Sequence, residues 1–214
     1  MRRNKIQKFK DFITFPLRAL TLIENDRWGL SDLSSERFDY VSKEVHGYCL
    51  DVGCGKRNRF VSEYLNGKGK GIDVFLYEGL DEENIVGDIT RFPFEDSFFE
   101  SVTLIASINH IPVHLRDTEL GEAYRCLKLG GNIIVTMGNP LAEILVHKIV
   151  QLHDELFGTD YDMDSKRGMK EGEAYFLKDS EIIARLLRTG FKNITKKFFI
   201  TQWGFNHLFV GWKR

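Results

Sequence analysis

The stretch Cys49-Leu50-Asp51-Val52-Gly53-Cys54-Gly55 constrains the fold of this 214-residue chain more than any other part of it. A short apolar run ends in an acid and passes at once into Gly-x-Gly. That is the pattern of a buried strand running into a tight turn. Glycine suits such a turn because it has no Cβ to forbid positive φ or to hold a ligand away from the backbone. A nucleotide-like cofactor is the candidate occupant, and the rest of the chain has to decide which one.

From Gly47 onward, apolar runs near 48–52, 70–74, 84–87, 99–106 and 131–137 alternate with helical patterns. The helical segments lie near 35–45, 58–66, 115–128, 140–156 and 179–188. This alternation predicts a mainly parallel sheet with helices on both faces, the α/β architecture. Two β-rich runs, 191–201 and 205–212, meet at a short turn over 202–204 and predict a terminal hairpin, which adds an antiparallel element. The chain is 43% hydrophobic and 29% charged, so it has the material for a core, and its length suits one domain of this type. A net charge of −1 gives no general electrostatic grip on nucleic acid. No apolar run approaches the ~20 residues of a membrane span. No secretory signal is visible, and three cysteines without CxxC spacing (Cys49, Cys54, Cys126) predict reduced thiols and a cytoplasmic protein.

The N-terminal segment, 1–34, reads as an amphipathic helical unit ahead of the main domain, 35–214. Its first 23 residues hold six basic side chains (Arg2, Arg3, Lys5, Lys8, Lys10, Arg18) and one acid, Asp11. Ile6, Phe9, Ile13 and Leu17 form an apolar stripe at helical spacing. Pro16 disfavours helix at Phe15 and is expected to start a second short helix. Two readings stand side by side: a helix docked on the domain through its stripe, or a basic segment that touches an anionic membrane or covers the site as a lid.

Ligands of an open α/β sheet sit outside the carboxyl ends of its strands, so the polar residues ending each predicted strand matter most. The first strand supplies Asp51, Gly53 and Gly55. The second ends at Asp73, followed by Val74, 20 residues after Gly53. A carboxylate there suits two vicinal ribose hydroxyls, because it accepts two hydrogen bonds at once. The third ends in Gly87-Asp88-Ile89, where Asp88 suits an exocyclic amine and Ile89 a flat ring. The fourth ends in Ser107-Ile108-Asn109-His110. Each of these has a structural alternative as a turn, cap or packing residue, but three acids in register at successive strand ends point to one site. A dinucleotide fingerprint would need glycine at position 58, where this chain has Asn58 after Lys56 and Arg57. A GxxxxGK[ST] phosphate loop is absent.

With these pieces assembled, the chain resembles the class I S-adenosylmethionine-dependent methyltransferases over about 170 residues, from Arg37 onward. The resemblance rests on Leu50 to Gly55, on Gly71-Ile72-Asp73, and on Gly87-Asp88-Ile89 followed by Phe92-Pro93-Phe94-Glu95-Asp96-Ser97-Phe98-Phe99. It rests also on Asn109-His110-Ile111 and on Tyr124-Arg125-Cys126-Leu127-Lys128-Leu129-Gly130-Gly131. It implies a Rossmann-like three-layer sandwich with a seven-stranded sheet in the order 3-2-1-4-5-7-6. It implies S-adenosylmethionine as cofactor, its methionine part passing Gly53 and Gly55 with Asp51 just beneath. Asp73 takes the ribose hydroxyls, Asp88 the adenine amino group, and Ile89 the ring face. Ser107 to His110 line the methyl-transfer side. The chain departs from the commoner pattern at Arg57, where a third glycine is frequent.

A sulfonium methyl is already electrophilic, so the expected mechanism is alignment of a nucleophile and exclusion of water. Imidazole is suited to take a proton near neutral pH, which makes His110 the candidate base. Asn109 and Tyr175 are candidates to orient the acceptor. In this family the acceptor pocket is usually built from the N-terminal segment and the insertion after the fifth strand, here about 139–176, so Trp28 and Tyr175 are candidate walls. No Asn-Pro-Pro-Tyr or Asp-Pro-Pro-Tyr motif follows strand four, which argues against a nucleic-acid base. The expected acceptor is a small molecule, sugar or lipid-linked compound, methylated on oxygen or nitrogen. A nicotinamide oxidoreductase and a non-catalytic scaffold on the same fold are the rival readings. No metal is expected. Asp160, Asp162, Asp164 and Glu171 have calcium-loop spacing but Ser165 stands where that loop needs glycine, and His147 and His153 lack a third ligand.

Overall fold

The computed structural model describes residues 3–20, 26, 28–88, 90–139, 148, 154–155, 158 and 177–214. Two helices, α1 (Lys5–Leu20) and α2 (Leu33–Val41), precede the sheet. Then come β1 (Cys49–Val52), β2 (Gly69–Ile72), β3 (Phe99–Ile105), α3 (Arg116–Cys126) and β4 (Leu127–Gly138). The last elements are α4 (Asp179–Thr189), β5 (Lys192–Phe198) and β6 (Asn206–Trp212).

The sheet order is β2-β1-β3-β4-β6-β5. The first four strands are parallel, and β6 runs antiparallel to both β4 and β5, so the terminal hairpin is present as expected. Strand β1 is buried at all four positions because it has parallel partners on both sides and helices on both faces. Alternate residues of β4 serve opposite faces. Ile133 and Val135 join Leu120 and Ala123 of α3 and Ile182 and Leu186 of α4 in one core. Ile134 joins Val41, Phe60, Phe199 and Val210 in the other. The exposed outer strand β5 carries Lys192, Lys196 and Lys197, charges that discourage further pairing at an edge.

Six strands are described where seven were expected. The run near 84–87 reduces to one parallel bridge, Ile85 to Asp73, at the outer edge of β2. It occupies the place of the third strand, so the expected order holds with that member shortened. The predicted helix near 58–66 is a 3₁₀ turn, Lys56–Asn58, followed by a π turn, Phe60–Tyr64. Of the helix predicted over 140–156 only 148 and 154–155 are described, and these are helical; the calcium-like spacing and both histidines of the 147/153 pair lie outside the described residues.

Helix α1 corrects two expectations. Pro16 does not divide it: one helix runs through the proline. Proline cannot donate to the carbonyl four residues back, which is that of Phe12. The Trp203 indole N–H donates to that carbonyl instead, at 2.8 Å, so the lost helical bond is replaced from the hairpin turn. The stripe does not dock either. The side chains facing the domain are Gln7, Asp11, Phe15 and Arg18, while Ile6, Phe9, Ile13 and Leu17 are exposed. Arg18 is fully buried, 2.9 Å from Glu36 of α2, and donates to the Ser31 carbonyl. Gln202 also donates to Glu36. A buried ionic network therefore holds α1 to the hairpin and to α2.

Candidate active site

The carboxyl ends of β1, β2 and β3 open into a cavity of about 750 Å³, within the usual range for a small-molecule site. Its wall includes Gly53, Gly55, Asp73, Val74, Asp88, Ser107 and His110, all foreseen from the sequence. Two backbone conformations make the glycines necessary. Gly53 has φ +76°, and a Cβ there would fall 2.5 Å from Cβ of Ser107. Gly55, at φ 61° and ψ −165°, occupies a region essentially reserved for glycine. The turn is pinned from below, since the N–H groups of Gly53 and Cys54 both donate to the Ile72 carbonyl. The Ser107 hydroxyl is held by donation to the Val52 carbonyl at 2.8 Å.

Asp73 ties this turn to the next strand. One carboxylate oxygen accepts from Gly55 N–H at 2.9 Å, the other from Phe75 N–H at 3.1 Å. A carboxylate has about four acceptor positions, so two remain for a ligand diol. Asp88 accepts from the backbone N–H and hydroxyl of Thr90. The hydroxyl bond, with the backbone bond, holds the Asp88 pKa below the ordinary carboxylate value, which keeps it an ionised acceptor suited to an amine.

Three of the expected residues stand outside the cavity wall. Asp51 does not line the cavity. It is buried beneath the turn, accepts from the Thr103 hydroxyl at 2.6 Å, and has its pKa pushed up to about 7 by burial. The nearby Asp73 charge adds to that rise and the Thr103 bond opposes it. Asp51 thus lies beneath the turn, as the resemblance implied. Asn109 is also buried outside the wall, its carbonyl accepting from Arg116. Trp28 is 80% exposed, neither core nor cavity wall. Ile89 and Tyr175 lie outside the described residues. Arg57 resolves simply: it has φ 61°, where a glycine would be relaxed, and its side chain turns to solvent and pairs with Glu78.

Sequence reasoning missed Glu119. It lies on α3, one turn beyond Leu115, and both face the cavity. Its side chain is 3% exposed on a residue basis, and Oε2 is buried with no hydrogen-bond partner. Burial alone raises its pKa from 4.5 to about 8. A signal was present, because Glu119 occupies an apolar position of the helical repeat Leu115, Glu119, Leu120, Ala123, Cys126. Phe75, Tyr77 and Thr90 were also missed; they join the wall from loops after β2 and the bridge.

A methyltransferase-domain family model matches residues 50–135, from the glycine turn through β4. Over these residues the chain carries a methyltransferase domain of the S-adenosylmethionine-dependent type. This methyltransferase is 27% identical over 198 residues to the ubiquinone/menaquinone biosynthesis C-methyltransferase UbiE of Brucella anthropi, across 84% of this chain and 73% of that one. Among solved structures it resembles an S-adenosylmethionine-dependent methyltransferase from Thermotoga maritima, with TM-score 0.59 and 17% identity over 97% of this chain and 99% of that one. It also resembles phosphoethanolamine N-methyltransferase 2 of Haemonchus contortus in complex with S-adenosyl-L-methionine, with TM-score 0.54 and 16% identity over 84% and 52%. At such identities the solved structures establish the fold alone. The glycine-only turn, the double-accepting Asp73 and the cavity volume fit S-adenosylmethionine as the cofactor.

Proposed function

We propose that this methyltransferase acts on a small apolar or lipid-linked acceptor, with His110 removing the proton that makes the accepting atom nucleophilic. The observation that carries the reading is that His110 shares one cavity wall with the glycine turn, Asp73 and the apolar Ile111, Pro112 and Leu115. When bound, S-adenosylmethionine supplies an electrophilic sulfonium methyl. In this reading Gly53 and Gly55 let the cofactor approach the backbone, Asp73 accepts from its ribose, and Asp88 accepts from its adenine amine. Ser107 and His110 border the side where the acceptor enters. Alignment of this kind is worth ~7–11 kcal/mol of barrier, so holding the two partners in line is the main work of the protein.

The sequence pointed to an oxygen or nitrogen acceptor. The Brucella relative is named a C-methyltransferase, which brings carbon into the same scheme: loss of a proton activates an enol-type carbon as it does a hydroxyl or amine. A nucleic-acid acceptor has no support in a chain of net charge −1. Cys49, Cys54 and Cys126 are all free and buried, which supports a reducing, cytoplasmic setting.

Calorimetry with S-adenosylmethionine and with NAD tests the cofactor, and binding of the first alone is expected. Turnover of His110→Ala, measured with acceptor mixtures and labelled methyl donor, tests the base. Turnover is expected to fall by about 10²–10⁴-fold with cofactor binding intact. Unchanged turnover would remove His110 from the role.

A further inference from the structure

Helix α1 presents the opposite of the usual surface helix. Its buried face carries the ionic Arg18 and Asp11 beside one aromatic, Phe15, and its exposed face is apolar. Ile6 is 71% exposed, Phe9 66% and Ile13 57%. At 3.6 residues per turn these three fall within an arc of about 60°, and Lys5 and Lys10 lie about 40° beyond its two edges. The one acid of the helix, Asp11, is buried against the domain, so no negative charge faces outward from it. The apolar surface continues across the hairpin turn. Phe12 packs on Trp203 with ring centroids 6.2 Å apart, and Ile200 beside it is exposed. None of these residues lines the cavity.

We propose that α1 seats this protein on an anionic lipid bilayer. The helix lies in the plane of the interface, with Ile6, Phe9 and Ile13 in the acyl boundary and Lys5 and Lys10 reaching lipid phosphates on either side. An apolar stripe bordered by lysines is the pattern of an interfacial helix, because the long lysine stems keep their charges at the headgroups while the stripe enters the apolar layer. Among the described residues no helix is long and apolar enough to cross a membrane, so the contact is peripheral. Charge selects this occupant over a second copy of the chain, since two copies meeting at the stripe would oppose Lys5 and Lys10 of each. Trp203 extends the contact: its N–H is already satisfied by the Phe12 carbonyl, and its ring remains half exposed. The inference goes beyond methyl transfer and stands whichever acceptor the cavity takes.

The test is co-sedimentation of the full chain with phosphatidylcholine vesicles, with and without phosphatidylserine, at low and high salt. Binding is expected to the anionic vesicles and to weaken with salt. Phe9→Ser/Ile13→Ser should lower vesicle affinity by about tenfold or more by removing buried apolar area. Lys5→Glu/Lys10→Glu should lower it by at least about 25-fold, about fivefold for each lost lysine contact. Both variants change exposed side chains, so melting temperature and S-adenosylmethionine affinity should stay at wild-type values. The proposal is overturned if anionic vesicles do not bind the protein, or if both variants bind as wild type does. It is equally overturned if light scattering shows a dimer that Phe9→Ser/Ile13→Ser dissociates, which would put a second copy on the stripe.

Discussion

Glu119 should give this protein a stability that falls as pH rises, and Glu119→Gln should remove the fall. Its pKa is 4.5 ordinarily and about 8 in the fold, because burial penalises the charged form and no cation compensates. Between those values the folded chain keeps a proton that the unfolded chain releases. The stabilisation is therefore complete below about pH 4.5 and is lost as pH rises toward 8. One linked proton is worth about 1.4 kcal/mol per pH unit, or about 3 kcal/mol between about pH 5 and pH 7. Glutamine has nearly the same shape, is neutral throughout, and leaves the same buried oxygen poorly satisfied. Wild type and variant should therefore agree within about 1 kcal/mol near pH 5. Near pH 7 the variant should be the more stable by about 3 kcal/mol, which for a chain of this size is a melting-temperature gap of about 6–12 °C. Asp51, whose pKa is also raised, adds a similar slope to both proteins and cancels in the difference. Thermal melts of both proteins across this pH range, without ligand, provide the measurement. A gap that stays constant with pH would refute the reasoning, since it would mean that water reaches the Glu119 carboxyl and lets it ionise normally.

Two further outcomes follow from the site and its supports. Asp73→Asn keeps the shape but loses the charge that faces a ligand diol, so calorimetric affinity for S-adenosylmethionine should drop by roughly 10- to 100-fold, the worth of charge-assisted hydrogen bonds. Arg18→Ala leaves Glu36 buried without its cation and should cost about 3–5 kcal/mol in urea unfolding; a cost below about 1 kcal/mol would mean that α1 is not held by this pair.

Much of this protein was legible along the chain because its signals are local. A strand that ends in Asp51 before Gly53 and Gly55 needs only backbone sterics to be recognised. Asp73 and Asp88 announce themselves by ending their runs, and the hairpin by its β-rich segments and turn. The same local logic failed where the deciding partner is remote. Pro16 was expected to break the helix, but the bond it forfeits is supplied by Trp203, 187 residues later. Docking of α1 through its apolar stripe was one of two open readings, but Arg18 finds Glu36 and the ionic face docks instead. Asn109 and His110 are neighbours in sequence, yet only His110 lines the cavity.

The sequence by itself determined the α/β class, the mainly parallel character of the sheet and the glycine turn after its first strand, while the strand order came from the family resemblance. The class, the parallel character and the turn follow from hydrophobic period and from glycine's freedom at positive φ, which are properties of a few adjacent residues. The tertiary structure alone decided which side of α1 faces outward, that Asn109 stands outside the cavity wall, and that Glu119 is buried in that wall with its Oε2 unpartnered. Burial and pairing depend on what packs against a side chain from elsewhere in the chain, and no local pattern carries that information.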